Sequence, residues 1–363
     1  MPTQSTLEAK PRAWVEVHLG ALIRNARALE RQSRTRLLPM VKADAYGLGA
    51  LPVARALEAL DPIAFGVSSI VEGVELRRGG ISRPVIVFTP TLAHDLDRLR
   101  ADELTPTLAA ADGIAQWAAL GGGAWHLAIE TGMHRAGIAW DAVASLGDAI
   151  RACPPAGAFT HFHSAELDDG SLERQEARFR QAVEALPMRP PLLHTENSAA
   201  MARRSPSPWD CARPGVFLYG VGSGAKAAIQ PEPVVHLRAQ VLEVRDVASG
   251  ETVSYDATWR ADGTRRIATI ACGYADGYRR QLGNVGRAVV GDAIVPVAGT
   301  VTMDMTMLDV TGLPCAPGDV VTLIGGAGER LLTAEDVANL AGLSPYELLT
   351  GLRQRLVRRY ETT

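Results

Sequence analysis

Between residues 19 and 216, short apolar runs alternate with amphipathic stretches, and this alternation constrains the fold more than any other feature of the chain. Strand-like runs fall at Leu37–Lys42, Ile63–Val67, Val85–Phe88, Leu104–Leu108, Trp125–Glu130, Ala158–Phe162, Leu192–Glu196 and Cys211–Val216. Helical patterns occupy Leu19–Gln32, Leu51–Leu60, Ile70–Arg78, Ala111–Leu120, Trp140–Ala152 and Leu172–Leu186. Eight βα units in about 220 residues is the count and size of a closed (β/α)8 barrel. Beyond about residue 235 the pattern changes. HLRAQVLEV, ETVSYDAT, IATIACGY, RAVVGDAIVPVAG and DVVTLIGG are short, β-rich and separated by Gly or Pro, the pattern of a small β domain. A late helix runs from about Thr333, where Thr-Ala-Glu-Asp has the form of a helix start, to Leu340. The expected architecture is α/β: a TIM-type barrel over 12–235, followed by a mainly-β C-terminal domain over 236–363.

Composition narrows the partners. The formal net charge of −3 gives no electrostatic reason to expect nucleic acid or an anionic membrane. No apolar run approaches the ~18–20 residues of a membrane span. The N-terminal MPTQSTLEAKPR is polar and lacks the apolar core of a secretory signal, so a cytoplasmic protein is expected. Cys153, Cys211, Cys272 and Cys315 are far apart and form no CxxC pair, as suits reduced thiols.

Of 37 basic residues only three are lysines, Lys10, Lys42 and Lys226. Where either cation would serve, this chain uses arginine, so a lysine hints that an amine is needed. Lys42 alone lies in an apolar-flanked segment, LLPMVKADAYG, at the end of the first barrel strand. Barrel active sites lie at the C-terminal strand ends. A lysine there is partly desolvated, which lowers its pKa and frees the amine to form a Schiff base. The bland alternative is a lysine with a solvated head. Other strand ends carry Arg135 in ETGMHRAG, His161 in FTHFHSAE, Asn197-Ser198 in HTENSAA, and Arg213 and Gly215 in ARPGVFLYG. The loops after the last two strands are frequent phosphate sites, where Ser198 offers a hydroxyl and Gly215 permits close backbone approach. Against these stand a plain helix cap for Asn197-Ser198, a buried ion pair for Arg213 and a satisfied core histidine for His161. His161 and His163 also form an HxH pair, which with Glu130 and His194 would suit a metal-dependent barrel hydrolase. No ligand set of recognisable spacing completes it.

Together the segments VKADAYG, ETGMHRAG, THF, NSAA, RPGVFLYG, VSYDAT, GYADGY, TMD and the terminal Arg-Arg-Tyr resemble the alanine racemase family, in this order and from about Trp14 to Tyr360. The resemblance implies a homodimeric isomerase that uses pyridoxal 5'-phosphate (PLP) and interconverts L- and D-alanine for peptidoglycan. Lys42 would carry the cofactor. Tyr46, Ser198, the backbone of Gly215 and Val216, and Tyr360 would bind its phosphate. Arg213 would face the pyridine nitrogen and His161 the ring. Arg135 would hold the substrate carboxylate. Tyr274, with Met303 and Asp304, would come from the second subunit. In the family the lysine acts on the D enantiomer and the tyrosine on the L, two bases on opposite faces of one carbon. A Tyr274–His161–Arg213 hydrogen-bond chain would favour the phenolate.

Two departures stand out. Many members carry a carbamylated lysine that orients the arginine where this chain has Ala128, so a small anion or a neighbouring side chain is expected beside Arg135. Thr302 replaces a common cysteine. Serine or another small amino acid is the alternative substrate. Against a racemase stand a non-enzymatic PLP-binding barrel, a PLP decarboxylase and the metal-dependent hydrolase. The single-domain binders lack the β domain with Tyr274, and the decarboxylase's cysteine-aspartate pair does not appear.

Overall fold

A computed structural model describes residues 10–362. The first nine residues of the polar N-terminal segment lie outside the described residues. The chain divides into two compact units, Leu19–Glu232 and a second formed by the segment ending at His18 together with Pro233 onward.

Strand β1 (Ala13–His18) belongs to the second unit. The Leu19–Glu232 unit holds β2 (Arg36–Leu37), β3 (Phe65–Val67), β4 (Val85–Val87), β5 (Thr105–Leu108), β6 (His126–Glu130), β7 (Ile138–Ala139), β8 (Gly157–Phe159), β9 (Leu192–His194) and β10 (Cys211–Ala212). Parallel pairing runs β3-β4-β5-β6-β8-β9, with β7 alongside β6, and β10 pairs with β2. Backbone hydrogen bonds close the ring. Val41 N–H donates to Gly66 O (2.9 Å) and Leu38 N–H to Ala212 O (2.8 Å). Asp210 N–H donates to Leu193 O (3.0 Å) and Arg213 N–H to Glu196 O (2.8 Å). The result is the expected barrel. Its strands are buried along their length, as in β3, β4 and β5, because helices cover the outer face and side chains fill the lumen.

Two helical details differ from the expectation. The stretch Trp140–Ala152 splits into a 3-10 turn at Val143–Leu146 and a helix at Gly147–Ala152, with helix-weakening Gly147 at the junction. An unexpected helix at Leu96–Ala101 is only six residues long, too short for its two buried leucines to show a period.

The second unit is built on β11 (Val235–Val247), a 13-residue strand whose first half alternates buried and half-buried residues. It pairs with β1, Val320–Ile324 and Arg265–Ile270, all antiparallel. The last strand, Val357–Glu361, lies parallel to β1 with Tyr360 opposite Val17. Arg287–Val290 and Ala293–Pro296 form a hairpin across Gly291-Asp292. The helix Ala334–Leu340 starts as expected, with a capping box between Thr333 and Asp336.

One boundary is corrected. The barrel was expected from residue 12, but β1 pairs with β11 and with the C-terminal strand, so the chain contributes a strand to the β unit before the barrel begins. Its sequence, AWVEVH, alternates in β fashion and gives no barrel crossover of its own.

Candidate active site

Lys42 sits half-buried where β2 would continue, at the head of an unusual turn. Ala43, Asp44, Ala45 and Tyr46 all take left-handed backbone angles, with φ of 53, 53, 50 and 56°. For residues bearing a Cβ this conformation costs roughly 1–2 kcal/mol each. It persists because hydrogen bonds surround it. Ala43 N–H donates to Glu72 Oε1 (2.9 Å) and Ala50 N–H to Asp44 Oδ1 (2.7 Å). Gly49 N–H donates to Asp44 O (2.9 Å). The turn leaves Lys42 at the cavity and buries Tyr46, whose ring stacks on Tyr219 at 4.6 Å. Burial, then the charges of Arg135 and Arg213, hold the Lys42 amine below its ordinary pKa, with Glu72 acting the other way.

Arg213 is the most tightly held cation of the barrel mouth. It is buried, and Nη1 donates to His194 O and His194 Nδ1, both at 2.6 Å. Nη2 donates to the carbonyls of Thr160 (2.6 Å) and Thr195 (3.1 Å) and reaches His161 Nδ1 at 3.5 Å. A guanidinium only donates, so His194 Nδ1 carries no hydrogen. The His194 hydrogen is therefore on Nε2, which donates to His126 Nδ1 at 2.8 Å. Burial and then the Arg213 charge keep all three rings neutral. His126 is pushed down to about 4, His161 to about 3, and His194 well below its ordinary value. Burial lowers Arg213 to about 10, which leaves it charged at neutral pH. Sequence reasoning missed His126 altogether and weighed His194 only as a metal ligand.

A cavity of about 590 Å³ opens at these strand ends, lined by Lys42, Phe88, Ala128, Met133, Arg135 and His161 among others. Arg135 reaches it from the loop after β6. Glu130 shapes that loop by accepting N–H bonds from Gly132 and Arg135. Burial opposes ionisation of Glu130, but the amides of His134, Gly132 and Arg135 keep its carboxyl below the ordinary value. The Arg135 side chain is exposed and has no hydrogen bond or ion pair among the described residues. Behind β6 and β8, Gln175 holds both loops: its Nε2 donates to Thr131 Oγ1 (3.2 Å) and His161 O (3.0 Å).

Just after β9, Asn197 caps the helix Ser198–Arg203 by accepting from Ala200 N–H (3.1 Å), so the helix-cap alternative holds for this residue. Ser198 does something else. Its Oγ accepts from Gly215 N–H (2.8 Å) and Phe217 N–H (3.3 Å). Both acceptor sites are filled, so the hydroxyl hydrogen is left to donate. Between those amides the N–H of buried Val216, first in a 3-10 turn, has no partner among the described residues. A Cβ on Gly215 would collide with the Tyr46 hydroxyl, so only glycine allows this approach.

In the β unit, Tyr274 and Met303 lie on two loops tied together by Tyr274 N–H to Thr302 O (3.0 Å) and Ala275 N–H to Met303 O (2.9 Å). A Cβ on Gly273 would strike the carbonyls of Thr302 and Met303, which explains the glycine before the tyrosine. Arg355 bridges the same loops, pairing with Asp276 (2.9 Å) and Asp304 (3.0 Å). Tyr274 is 38% exposed and Met303 53%. Tyr360 lies on the last strand, beside Glu361, which pairs with His18 (3.1 Å).

The proposed metal set is not brought together. His163 turns to Ser164 Oγ (2.7 Å), while His194 is committed to Arg213 and His126. Among the described residues, the one group of three metal-ligating side chains is Glu16, His18 and His236 in the β unit, with Arg238 bonded to both Glu16 and His236.

Residues 17–223 match the family model for the alanine racemase N-terminal domain, and residues 234–360 match that for the C-terminal domain. The chain belongs to the alanine racemase family. It is 34% identical to an alanine racemase of Sorangium cellulosum, over 95% of this chain and 98% of that protein. The structure superposes on Bacillus anthracis alanine racemase with bound L-Ala-P (TM-score 0.88, 28% identity, 97% of this chain and 95% of that one). It superposes equally on Bartonella henselae alanine racemase with covalently bound pyridoxal phosphate (TM-score 0.88, 27% identity, 97% and 100%). The likeness to alanine racemases therefore spans both units.

Proposed function

We propose that this chain is a PLP-dependent isomerase that interconverts L- and D-alanine, with Lys42 and Tyr274 as its two bases and a second copy completing each site. The observation that carries this reading is the barrel mouth itself: a desolvated Lys42 amine faces one cavity with Arg135 and His161, and an anion cup lies across the strand ends.

The residues fit the cofactor. An anionic phosphate suits the Ser198 hydroxyl hydrogen and the unpartnered Val216 N–H, with Gly215 giving close backbone access and Tyr46 alongside. Arg213 would face the ring nitrogen as a donor that keeps its proton, so the nitrogen stays unprotonated. PLP, when bound, draws electrons from the substrate Cα and acidifies its hydrogen.

The chain's own residues select the outcome. Lys42, lowered by burial and by Arg135 and Arg213, accepts or returns a proton at one face of Cα. Tyr274 serves the opposite face through its phenolic oxygen. His161 is neutral with Nδ1 turned to Arg213, so its hydrogen is on Nε2, ready to donate to that oxygen. Arg135, free of protein partners among the described residues, is left to take the substrate carboxylate. Ala128 lines the cavity with it, so a small anion has room beside the guanidinium.

The exposure of Tyr274 and Met303 supports a homodimer in which these loops reach a partner's barrel. No helix among the described residues is long and apolar enough to cross a membrane. We assign the enzyme to the cytoplasm and its product to peptidoglycan synthesis.

The test is the visible spectrum of the purified protein with PLP, followed by L-alanine in D2O with NMR of the α-position. A cofactor band with deuterium appearing in both enantiomers is expected. A cofactor band without exchange on alanine, but with exchange on serine, would move the substrate. No band after adding PLP would overturn the reading.

A further inference from the structure

The left-handed turn after Lys42 needs an anchor, and the sequence motifs do not supply it. The anchor is Glu72, on the helix Ile70–Arg78 that follows β3. Its Oε1 accepts from Ala43 N–H (2.9 Å), the amide that directly follows Lys42. Its Oε2 accepts from Ser68 N–H (2.7 Å) and Ser69 N–H (3.3 Å), at the end of β3. Ser69 returns the bond by accepting from Glu72 N–H (3.2 Å), completing a capping box. One carboxylate thus ties the residue after Lys42 to the neighbouring barrel strand.

The same group has an electrostatic role. The charged groups acting on Lys42 are Arg135 from the loop after β6, Arg213 from the end of β10, and Glu72. His161, which also faces Lys42, is held neutral. Two cations and burial favour the free amine; Glu72 alone favours the ammonium form. A lysine that must both take up and give back a proton needs its two forms close in free energy.

We propose that Glu72 is the positioning residue of Lys42, clamping the left-handed turn that aims the amine and supplying the single negative charge that balances Arg135 and Arg213. This rests on the role proposed above for Lys42, and the test separates the two.

The chain has three lysines, so protein labelled with 13C at lysine Cε gives three resonances. The full-length protein is freed of cofactor and titrated; Lys10 and Lys226 are internal controls. Glu72→Gln keeps the shape but removes the charge and, because an amide nitrogen only donates, one of the two acceptors. It should lower the Lys42 midpoint, raising the amine-to-ammonium ratio at fixed pH by about threefold or more, with the two control lysines unmoved. Glu72→Ala should speed hydrogen exchange of the Ala43 amide by about tenfold or more. Glu72→Asp should restore the Lys42 midpoint while Ala43 stays fast, because the shorter side chain keeps the charge but cannot span both strand ends. A Lys42 midpoint unmoved in Glu72→Gln, or an Ala43 amide as protected in Glu72→Ala as in the wild type, would overturn the proposal. Adding PLP to the wild type is the separate check: a Lys42 resonance that does not shift would sink the cofactor reading whatever the titration gave.

Discussion

The barrel mouth and the Tyr274 loops are held in opposite ways. In the barrel, buried side chains do the fixing, mostly on backbone groups: Arg213 is pinned by three carbonyls and the His194 ring, and Ser198 gathers two amides. In the β unit, backbone fixes backbone: Tyr274 is placed by the amide-to-carbonyl bonds of two loops, and its side chain is exposed. The first arrangement suits a group that must not move or change charge. The second leaves the side chain open, as the proposed homodimer requires. A buried polar network loses a great deal when one member is removed, whereas an exposed phenol can be replaced at little structural cost.

The largest expected effect is at Lys42. Lys42→Ala should reduce racemisation in both directions to background and remove the visible cofactor band, with the fold intact by circular dichroism. Tyr274→Phe should sharpen the contrast. Loss of a positioned general base costs typically about 10²–10⁴-fold, and the loss should be greater from L-alanine, while the cofactor band and the melting temperature stay near wild type. A near-normal rate in this variant would contradict the two-base assignment.

The third effect is on stability. Arg213→Met leaves the carbonyls of Thr160, His194 and Thr195 without their donor and should cost about 3–5 kcal/mol in urea unfolding. Tyr274→Phe should cost far less by the same measurement. Stability should also depend on pH. His126 and His161 have folded pKa values of about 4 and about 3, and His194 is also depressed, against an ordinary value of 6.5. The unfolded chain therefore binds more protons between those limits, and stability falls as pH drops below 6.5. Each such histidine removes up to about 1.4 kcal/mol per pH unit in that window. The β unit has one counterpart, His236, at about 4. On acidification from pH 7 to 5, hydrogen-exchange protection, taken relative to the intrinsic rate at each pH, should fall in Leu19–Glu232 before it falls in the β unit. The reverse order would break the comparison.

Much of this was legible in the sequence. The barrel followed from eight strand-like runs alternating with helical patterns, and Lys42 stood out because the chain avoids lysine. Strand β1 was misassigned because its partners, β11 and the C-terminal strand, are more than two hundred residues away, and local alternation does not name a partner. His126 and His194 were hidden for a related reason. One opens and the other closes an apolar strand, where a histidine reads as core until Arg213 is seen to bind His194 and His194 to bind His126. Glu72 did leave a signal: Ser69 three residues before it is a capping-box pattern. The pattern announces a helix start but not the second amide, Ala43, that the carboxylate reaches. The left-handed turn was not legible at all, since Ala-Asp-Ala-Tyr carries no glycine to signal positive φ.

In the proposed enzyme, Lys42 of one copy works with Tyr274 of another. Mixing Lys42→Ala with Tyr274→Phe protein tests it directly. Each variant alone is expected to be inactive. Subunit exchange creates mixed dimers in which one site carries both defects and the other carries neither. Activity is expected to return on mixing, to about a quarter of the wild-type level for random exchange of equal amounts. Mixed dimers, demonstrated by mass spectrometry, that remain inactive would contradict it.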